Sequence, residues 1–177
     1  MTPRRTLLSS SSSEEQKPAA WLPRVTGVLD GLEVDWVVAG AVAAADYRAE
    51  ERFTTDLDLL VTWNDQIPEA CEAAGYDVRV VADADSTPHL LILHDGSERI
   101  DVIVAVVPYQ HTAIQRGAAA HVLTIEDVII HKLIAARPRD RDDIRSILST
   151  DPTLDRAYLD DWIEAWGVDD EWQRLIS

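Results

Sequence analysis

The sequence predicts an α+β fold (in the broader α/β sense), with a mixed β-sheet core, flanking helices and a helical C-terminal part. Three observations lead to this class. The length of 177 residues fits one domain. The apolar content of 46% suffices for a hydrophobic core and argues against a disordered chain. Short strand-like segments dominate up to Pro108, and segments with helical spacing follow it.

The chain divides into three parts. Residues 1–18 include five consecutive serines and are expected to form a disordered tail. Residues 19–150 are expected to form the main domain, and residues 151–177 a helical extension packed on the same domain.

Periodicity and turn signals give the elements that precede Pro108. Helices are predicted over 19–32, 41–46 and 65–74, and strands over 35–39, 56–62, 77–82, 89–94 and 98–107. The dipeptide Asp95-Gly96 predicts a hairpin turn between the last two strands.

The elements after Pro108 are predicted to be helices. Thr124, with Asp127 three residues later, resembles a capping box. The helix that it opens is expected to run to about Ala136, because Pro138 cannot continue it. Two more helices are predicted over 140–149 and 155–166. The last one carries a stripe expected to be core packing rather than a ligand cage: Leu154, Tyr158, Trp162 and Trp166.

The charge balance excludes several classes of function. With 32 acidic and 16 basic residues, the formal net charge is −16. Such a surface repels phosphate backbones and anionic lipids, so a large nucleic-acid footprint is not expected. A polyanionic ligand would need a local basic site.

The cysteine count and the length of the apolar runs indicate where in the cell the protein is expected. Cys71 is the only cysteine, which excludes a disulfide framework and a cysteine-based zinc cluster. The apolar runs are too short to span a bilayer, and Arg4-Arg5 is not followed by the apolar region of a twin-arginine signal. We therefore expect a cytoplasmic protein without a membrane partner.

Asp56 and Asp58 are the first candidate site residues. In the predicted strand their side chains share one face, while the leucines that alternate with them face the core. Neighbouring carboxylates repel each other unless a cation lies between them, and Mg²⁺ prefers such oxygen ligands. The alternative is a solvated strand end, because Asp-x-Asp also occurs at 83/85 and 140/142.

Asp101 is the second candidate, because it interrupts an apolar run over 100–106. A charge in such a run is costly unless it is paired or functional. It is either a strand-edge carboxylate bridged to Arg99 or a third metal-binding carboxylate, which could also take a proton from an attacking hydroxyl.

A basic cluster is the third candidate feature. Five of the sixteen basic residues fall within fourteen positions: Lys132, Arg137, Arg139, Arg141 and Arg145. One interpretation is ion pairing with Asp140, Asp142 and Asp143 on helix surfaces, which suits Arg141 and Arg145. The other is that Lys132, with Arg137, neutralises triphosphate oxygens.

Gly40 lies between a predicted strand and a predicted helix. Free backbone N–H groups at the start of such a helix suit a phosphate. The histidines are expected at surface or core positions rather than in a metal site. His131 projects from a different face of its predicted helix than Lys132 and could still touch substrate.

Together these motifs resemble the nucleotidyltransferase superfamily, which has the DNA polymerase β-like fold. The family's Gly-containing turn corresponds to Ala39-Gly40-Ala41. Its later Asp-x-Asp motif corresponds to the segment 52–59. That segment, Arg-Phe-Thr-Thr-Asp-Leu-Asp-Leu, and the Lys/Arg/Asp segment 132–143 are similar to the AbiEii-type toxin branch. The resemblance covers about residues 33 to 150. Two features depart from the family: Ala41 replaces Gly or Ser, and a long spacer of 14 residues separates it from Asp56.

The resemblance implies a Mg²⁺-dependent nucleotidyltransferase with NTP as a substrate. It implies that the metal-binding and catalytic residues are Asp56, Asp58 and Asp101. It implies that the nucleotide-binding residues are Gly40, Ala41, Arg52, Thr54, Lys132 and Arg137.

The acceptor stays open at this point. Members of this branch are often toxins of toxin–antitoxin pairs, which implies a possible antitoxin or other basic partner protein. Other acceptors in the superfamily are RNA or tRNA ends, proteins and aminoglycosides. Because of Ala41, a non-catalytic binding or regulatory module is the alternative to an enzyme.

Overall fold

A computed structural model describes residues 17–50, 54, 56–96 and 98–177. Most of the predicted tail and the candidate Arg52 lie outside these residues. The helices are α1 (Lys17–Gly31), α2 (Gly40–Ala45), α3 (Ile67–Ala73), α4 (Pro108–Gly117), α5 (Ile125–Ala135), α6 (Pro138–Leu148), α7 (Arg156–Trp166) and α8 (Asp169–Ile176). The strands are β1 (Trp36–Val38), β2 (Asp56–Val61), β3 (Asp77–Ala82), β4 (Pro88–Asp95) and β5 (Glu98–Val104).

The five strands form one mixed sheet in the order β1-β2-β5-β4-β3. All neighbours pair antiparallel except β2 and β5, which are parallel. Parallel strands need a crossover connection, which α3, β3 and β4 provide here. Because β2 and β5 are interior strands, Leu57, Leu59 and Val102 are at most 1% exposed. The mixed sheet with its helices confirms the predicted α+β class.

The β4–β5 hairpin forms where the sequence predicted it. Asp95 pairs with Glu98, and Gly96 between them has φ of +60°. A two-residue hairpin turn requires such a left-handed conformation, which glycine adopts without steric cost.

A short segment before α5 ties that helix to the sheet. The N–H of Val38 donates to the carbonyl of His121 at 2.8 Å, and the N–H of Leu123 donates to the carbonyl of Val38 at 3.0 Å. The next residue, Thr124, caps α5 by accepting from the N–H of Asp127, which confirms the predicted helix start. The position of α5 is therefore set by the edge of β1.

The C-terminal helices hold α5 from another side. Asp127 is fully buried and accepts hydrogen bonds from the Tyr158 hydroxyl at 2.6 Å and from Arg116 Nε at 3.3 Å. The guanidinium of Arg116 also lies 3.7 Å from the Tyr158 ring centroid. A buried carboxylate with a cation and a hydroxyl donor is fully compensated, so it can link α4, α5 and α7.

Three details differ from the sequence expectations. The core residues of α7 are Leu159 and Ile163, whereas Trp166 in the predicted core stripe is 38% exposed. The strand predicted over 98–107 ends at Val104, because the Gln110 side chain then accepts from two backbone N–H groups and caps α4. The helix predicted over 140–149 begins two residues earlier, at Pro138, which fits the preference of proline for the first helical position.

None of the helices in the described ranges is both long and apolar enough to cross a membrane.

Candidate functional site

The parallel pairing of β2 with β5 brings three carboxylates together. Asp58 lies directly beside Asp101 in the register, and Asp56 lies one alternation away on the same face of β2. The intervening Leu57 faces the core and is 1% exposed. The candidate acidic residues, which are far apart in the sequence, thus lie at one place on the sheet.

Gly40 lies against one of these carboxylates. Its φ is +61°, and a Cβ added to it would lie 1.8 Å from Oδ2 of Asp58. The neighbouring Ala39 donates its N–H to the carbonyl of Asp58 at 2.8 Å. Any other residue at position 40 would be strained by its backbone conformation and would overlap the carboxylate.

A cavity of about 260 Å³ opens at this point. Its walls come from the glycine turn, the strands β2 and β5, and the helices α5 and α6. The lining residues are Ala39, Gly40, Ala41, Thr54, Asp56, Asp58, Asp101, Ile103, His131, Lys132, Ala135, Arg137, Arg139 and Asp140. We call this space the site cavity; it includes every candidate residue of the sequence except Arg52, which lies outside the described residues.

Two lining residues, Ile103 and Ala135, were missed at the sequence level. Ile103 shares a strand face with Asp101, and Ala135 follows Lys132 by three residues on α5. Periodicity could have found both, but neither side chain carries chemistry that draws attention.

Lys132 does not project freely into the site cavity. The residue is 5% exposed, and its ammonium donates to Asp143 at 2.5 Å and to Asp140 at 3.4 Å. Asp143 also accepts from Arg48 at 2.8 Å, and Asp140 accepts from Arg137 Nε at 2.6 Å. These five residues form a chain of ion pairs, which we call the ion-pair network.

The remaining basic residues of the cluster separate into two groups. Arg145 pairs with Asp142, as the ion-pairing interpretation predicted, whereas Arg141 pairs with Glu171 of α8 instead of a nearby aspartate. Arg139 is exposed, lines the site cavity and has no ion pair among the described residues.

Asp58 carries the clearest electrostatic signal of the site. Its pKa is raised from 3.8 to about 6, chiefly by burial and then by the negative charges of Asp101 and Asp56, while Arg137 and Lys132 act in the opposite direction. The carboxylate end of the site cavity is thus short of positive charge.

Asp101 fits both interpretations that the sequence left open. Its two oxygens accept from Arg99 Nε at 2.7 Å and from Arg99 Nη2 at 3.0 Å. It also lies beside Asp58 and lines the site cavity. However, β5 is the central strand, so this carboxylate is not at the edge of the sheet.

The carboxylates are of the kind that binds Mg²⁺, but they do not by themselves surround a metal position. Within the described residues, no group of three or more acidic, histidine or cysteine side chains is arranged to hold a metal ion. Mg²⁺ commonly binds through one or two carboxylates together with substrate phosphates. Asp56 and Asp58 fit that mode, since they share a face beside cations that suit phosphate.

His131 forms part of the cavity wall next to Lys132. Burial lowers its pKa to about 4, so the ring is neutral at pH 7. Its Nε2 is buried without a hydrogen-bond partner among the described residues, and the ring centroid lies 5.5 Å from that of Tyr109. A neutral imidazole adds no charge to the cavity wall.

Replacing Gly40 by alanine is expected to damage the site more than the backbone strain alone explains. Gly167 is the matched control, because its φ is +63° and a Cβ there would meet nothing within 4 Å. We expect Gly167→Ala to lower the free energy of unfolding by roughly 1–2 kcal/mol. Gly40→Ala should lower the free energy of unfolding by more than this, because its Cβ would also overlap the Asp58 carboxylate, as measured by urea denaturation. Equal effects of the two variants would contradict the close contact with Asp58.

Replacing Asp58 by asparagine is expected to stabilise the free protein at pH 7. The folded-state pKa of about 6 lies above the ordinary 3.8, so the stability that the protonated carboxyl confers is lost as pH rises through 6. We expect Asp58→Asn to raise the free energy of unfolding by on the order of 2 kcal/mol at pH 7, and by less at pH 5. Urea denaturation at both pH values measures this. A variant less stable than the wild type at pH 7 would rule out the predicted charge repulsion.

Comparison with known proteins leads to the fold alone. No protein-family model matches the chain, and no curated protein is similar to it in sequence. The solution structure of the antibiotic-resistance factor ANT(2″)-Ia matches with a TM-score of 0.56 at 12% identity, covering 91% of this chain and 95% of that one. The crystal structure of ANT(2″)-Ia with adenylyl-2″-tobramycin matches with a TM-score of 0.55 at 14% identity, covering 83% and 95%. The mixed sheet and its helices therefore share the fold of ANT(2″)-Ia.

Proposed function

We propose that the protein is a Mg²⁺-dependent nucleotidyltransferase that moves an NMP from an NTP to an acceptor hydroxyl. The observation that carries this proposal is that carboxylates and cations line one cavity. Carboxylates of β2 and β5 border the site cavity, together with cationic side chains of α5, of α6 and of the turn between these helices. Phosphoryl chemistry needs both: anions that hold a metal, and cations that hold a polyphosphate.

Asp56 and Asp58 would hold the metal ion. When bound, Mg²⁺ would neutralise charge on the phosphates and orient them for attack. The raised pKa of Asp58 supports this assignment, because a divalent cation would relieve the repulsion from Asp56 and Asp101.

The triphosphate would lie along the cationic side. Arg139 is exposed and without an ion pair in the described part of the chain, so it meets phosphate without losing another contact. Arg137 and Lys132 share Asp140, and each keeps donors for phosphate oxygens. The backbone at Gly40 and Ala41 and the hydroxyl of Thr54 border the same space. Arg52, implied by the resemblance, stays a prediction.

Asp101 is the candidate base. The acceptor oxygen would form a bond to the α-phosphorus, the bond to the β-phosphate oxygen would break, and pyrophosphate would leave. The hydroxyl proton would pass to Asp101, which uses two of its four lone-pair positions on Arg99 and keeps the others.

Two observations favour an aminoglycoside among the candidate acceptors. Two solved structures of similar fold are those of ANT(2″)-Ia, one of them with adenylyl-2″-tobramycin. The net charge of −16 attracts a polycation and opposes a large RNA footprint. RNA or tRNA ends and protein hydroxyls are the other acceptors to be tested.

A non-catalytic nucleotide-binding module is the second candidate function. The bidentate Arg99–Asp101 pair supports it, because this contact occupies the carboxylate that would serve as base. Ala41 supports it as well, since it carries no hydroxyl for phosphate.

An acceptor screen tests the enzyme against the module. We expect transfer of label from one of four α-labelled NTPs, with Mg²⁺, to an aminoglycoside panel, total RNA or total protein. Asp58→Asn should lower transfer at least about 100-fold, because it removes a metal ligand. Asp85→Asn is the matched control, because Asp85 belongs to an exposed Asp-x-Asp turn. This variant should transfer label at the wild-type rate. NTP binding without transfer to any acceptor would favour the non-catalytic module.

The toxin role implied by the resemblance has its own test. If it holds, expression of the wild type should arrest bacterial growth, and expression of Asp58→Asn should not, because arrest would need transfer. Equal growth with both proteins at equal expression would exclude a toxin that acts without its partner.

A further inference from the structure

Asp143 is a buried member of the ion-pair network that the proposed function leaves without a role. Its Oδ2 accepts from the Lys132 ammonium at 2.5 Å, and its Oδ1 accepts from Arg48 Nη1 at 2.8 Å. The side chains of these three residues are only 2–6% exposed. Asp143 is not among the described residues that line the site cavity, so any effect on substrate must pass through a neighbour.

The first neighbour is Lys132. A lysine ammonium has three donors on a flexible stem, and its location depends on what anchors it. Asp143 is the shorter contact, and Asp140 lies 3.4 Å away. With two donors directed to α6, the third is the one left for the site cavity.

The second neighbour, Arg48, connects the network to the glycine turn. The N–H of Arg48 continues α2 by donating to the carbonyl of Ala44 at 3.1 Å. The next residue, Ala49, donates its N–H to Ser146 of α6 at 3.1 Å. Since α2 begins at Gly40, Asp143 connects the segment that follows the glycine turn to Lys132, and both Gly40 and Lys132 line the site cavity.

We propose that Asp143 is a positioning residue for the triphosphate: it fixes the Lys132 ammonium relative to the glycine turn without touching the substrate. This inference rests on the proposed function. Without the carboxylate, two buried cations would face each other, and the flexible lysine would lose its stronger anchor. The ammonium would then spend part of its time away from the phosphate position.

A double-mutant cycle tests the proposal. Binding of Mg²⁺–tripolyphosphate would be measured by calorimetry for the wild type, Asp143→Asn, Lys132→Met and the double variant. We expect Asp143→Asn to weaken binding about ten-fold, the value of one charge-assisted hydrogen bond. In the Lys132→Met background the same substitution should change nothing further, because positioning acts through the ammonium.

The adjacent Asp142 provides the matched control. It lies on the same helix, its side chain is 77% exposed, and it pairs with Arg145 at the surface. Asp142→Asn should bind tripolyphosphate like the wild type.

Each result has a definite meaning. A purely structural Asp143 would weaken binding equally in both lysine and methionine backgrounds, and that result would overturn the inference. Unchanged binding by Asp143→Asn would overturn it as well. If the wild type binds neither tripolyphosphate nor any NTP, the proposed function fails, and this inference fails with it.

A second variant covers the case in which Asp143→Asn does not fold. Arg48→Met/Asp143→Asn removes one cation and one anion together, so the charge of the network stays balanced. It still lacks the lysine anchor, so the same ten-fold loss is expected. Wild-type affinity in this folded variant would overturn the proposal.

Discussion

The in-register parallel pairing of β2 with β5 is the constraint on which the site depends. It places Asp58 beside Asp101 on strands that are about 4.8 Å apart. Both strands are interior, so one carboxylate is largely buried and its pKa is raised to about 6. The turn at Gly40 packs against this carboxylate so closely that no side chain fits between them. The strand pairing therefore sets both the charge and the shape of the cavity.

Cationic side chains near the start of α6 and on α5 offset the negative charge of these carboxylates, and contacts with other parts of the fold fix the position of α5. The start of α5 is tied to β1 through residues 121–123, and its first turn is tied to α7 through Asp127. The residues that make these contacts do not line the cavity, yet they determine where Lys132 lies. The helix α6 then provides two buried carboxylates that hold the ammonium. The C-terminal helices thus contribute to the site by limiting the freedom of α5.

Local charge, rather than the net charge of −16, determines what the cavity can bind. The acidic surface disfavours extended polyanions, whereas Arg137, Arg139 and Lys132 give one part of the cavity a positive character. A compact triphosphate suits such a small basic region. A cationic acceptor suits the acidic surroundings. The acidic surface and the basic region of the cavity are compatible, because the surface charge acts over long distances and the basic side chains act at contact distance.

The sequence by itself determined the local features: the alternation of Asp56 and Asp58, the turn at Gly40, the hairpin at Gly96 and the cap at Thr124. Each depends on residues within a few positions, whose steric and hydrogen-bonding preferences leave a periodic trace. It also marked Asp58 and Asp101, because charges beside apolar runs are unusual, whereas the uncharged candidates such as Thr54 came from the family resemblance. Only the tertiary structure decided which charges meet. The register of β2 on β5 and the pairing of Lys132 with Asp143 depend on strand order and helix packing, which leave no trace in neighbouring residues. The helix α8, whose Glu171 pairs with Arg141, was predicted only as part of the helical extension 151–177. With eight residues it is too short for its periodic pattern to mark a separate helix.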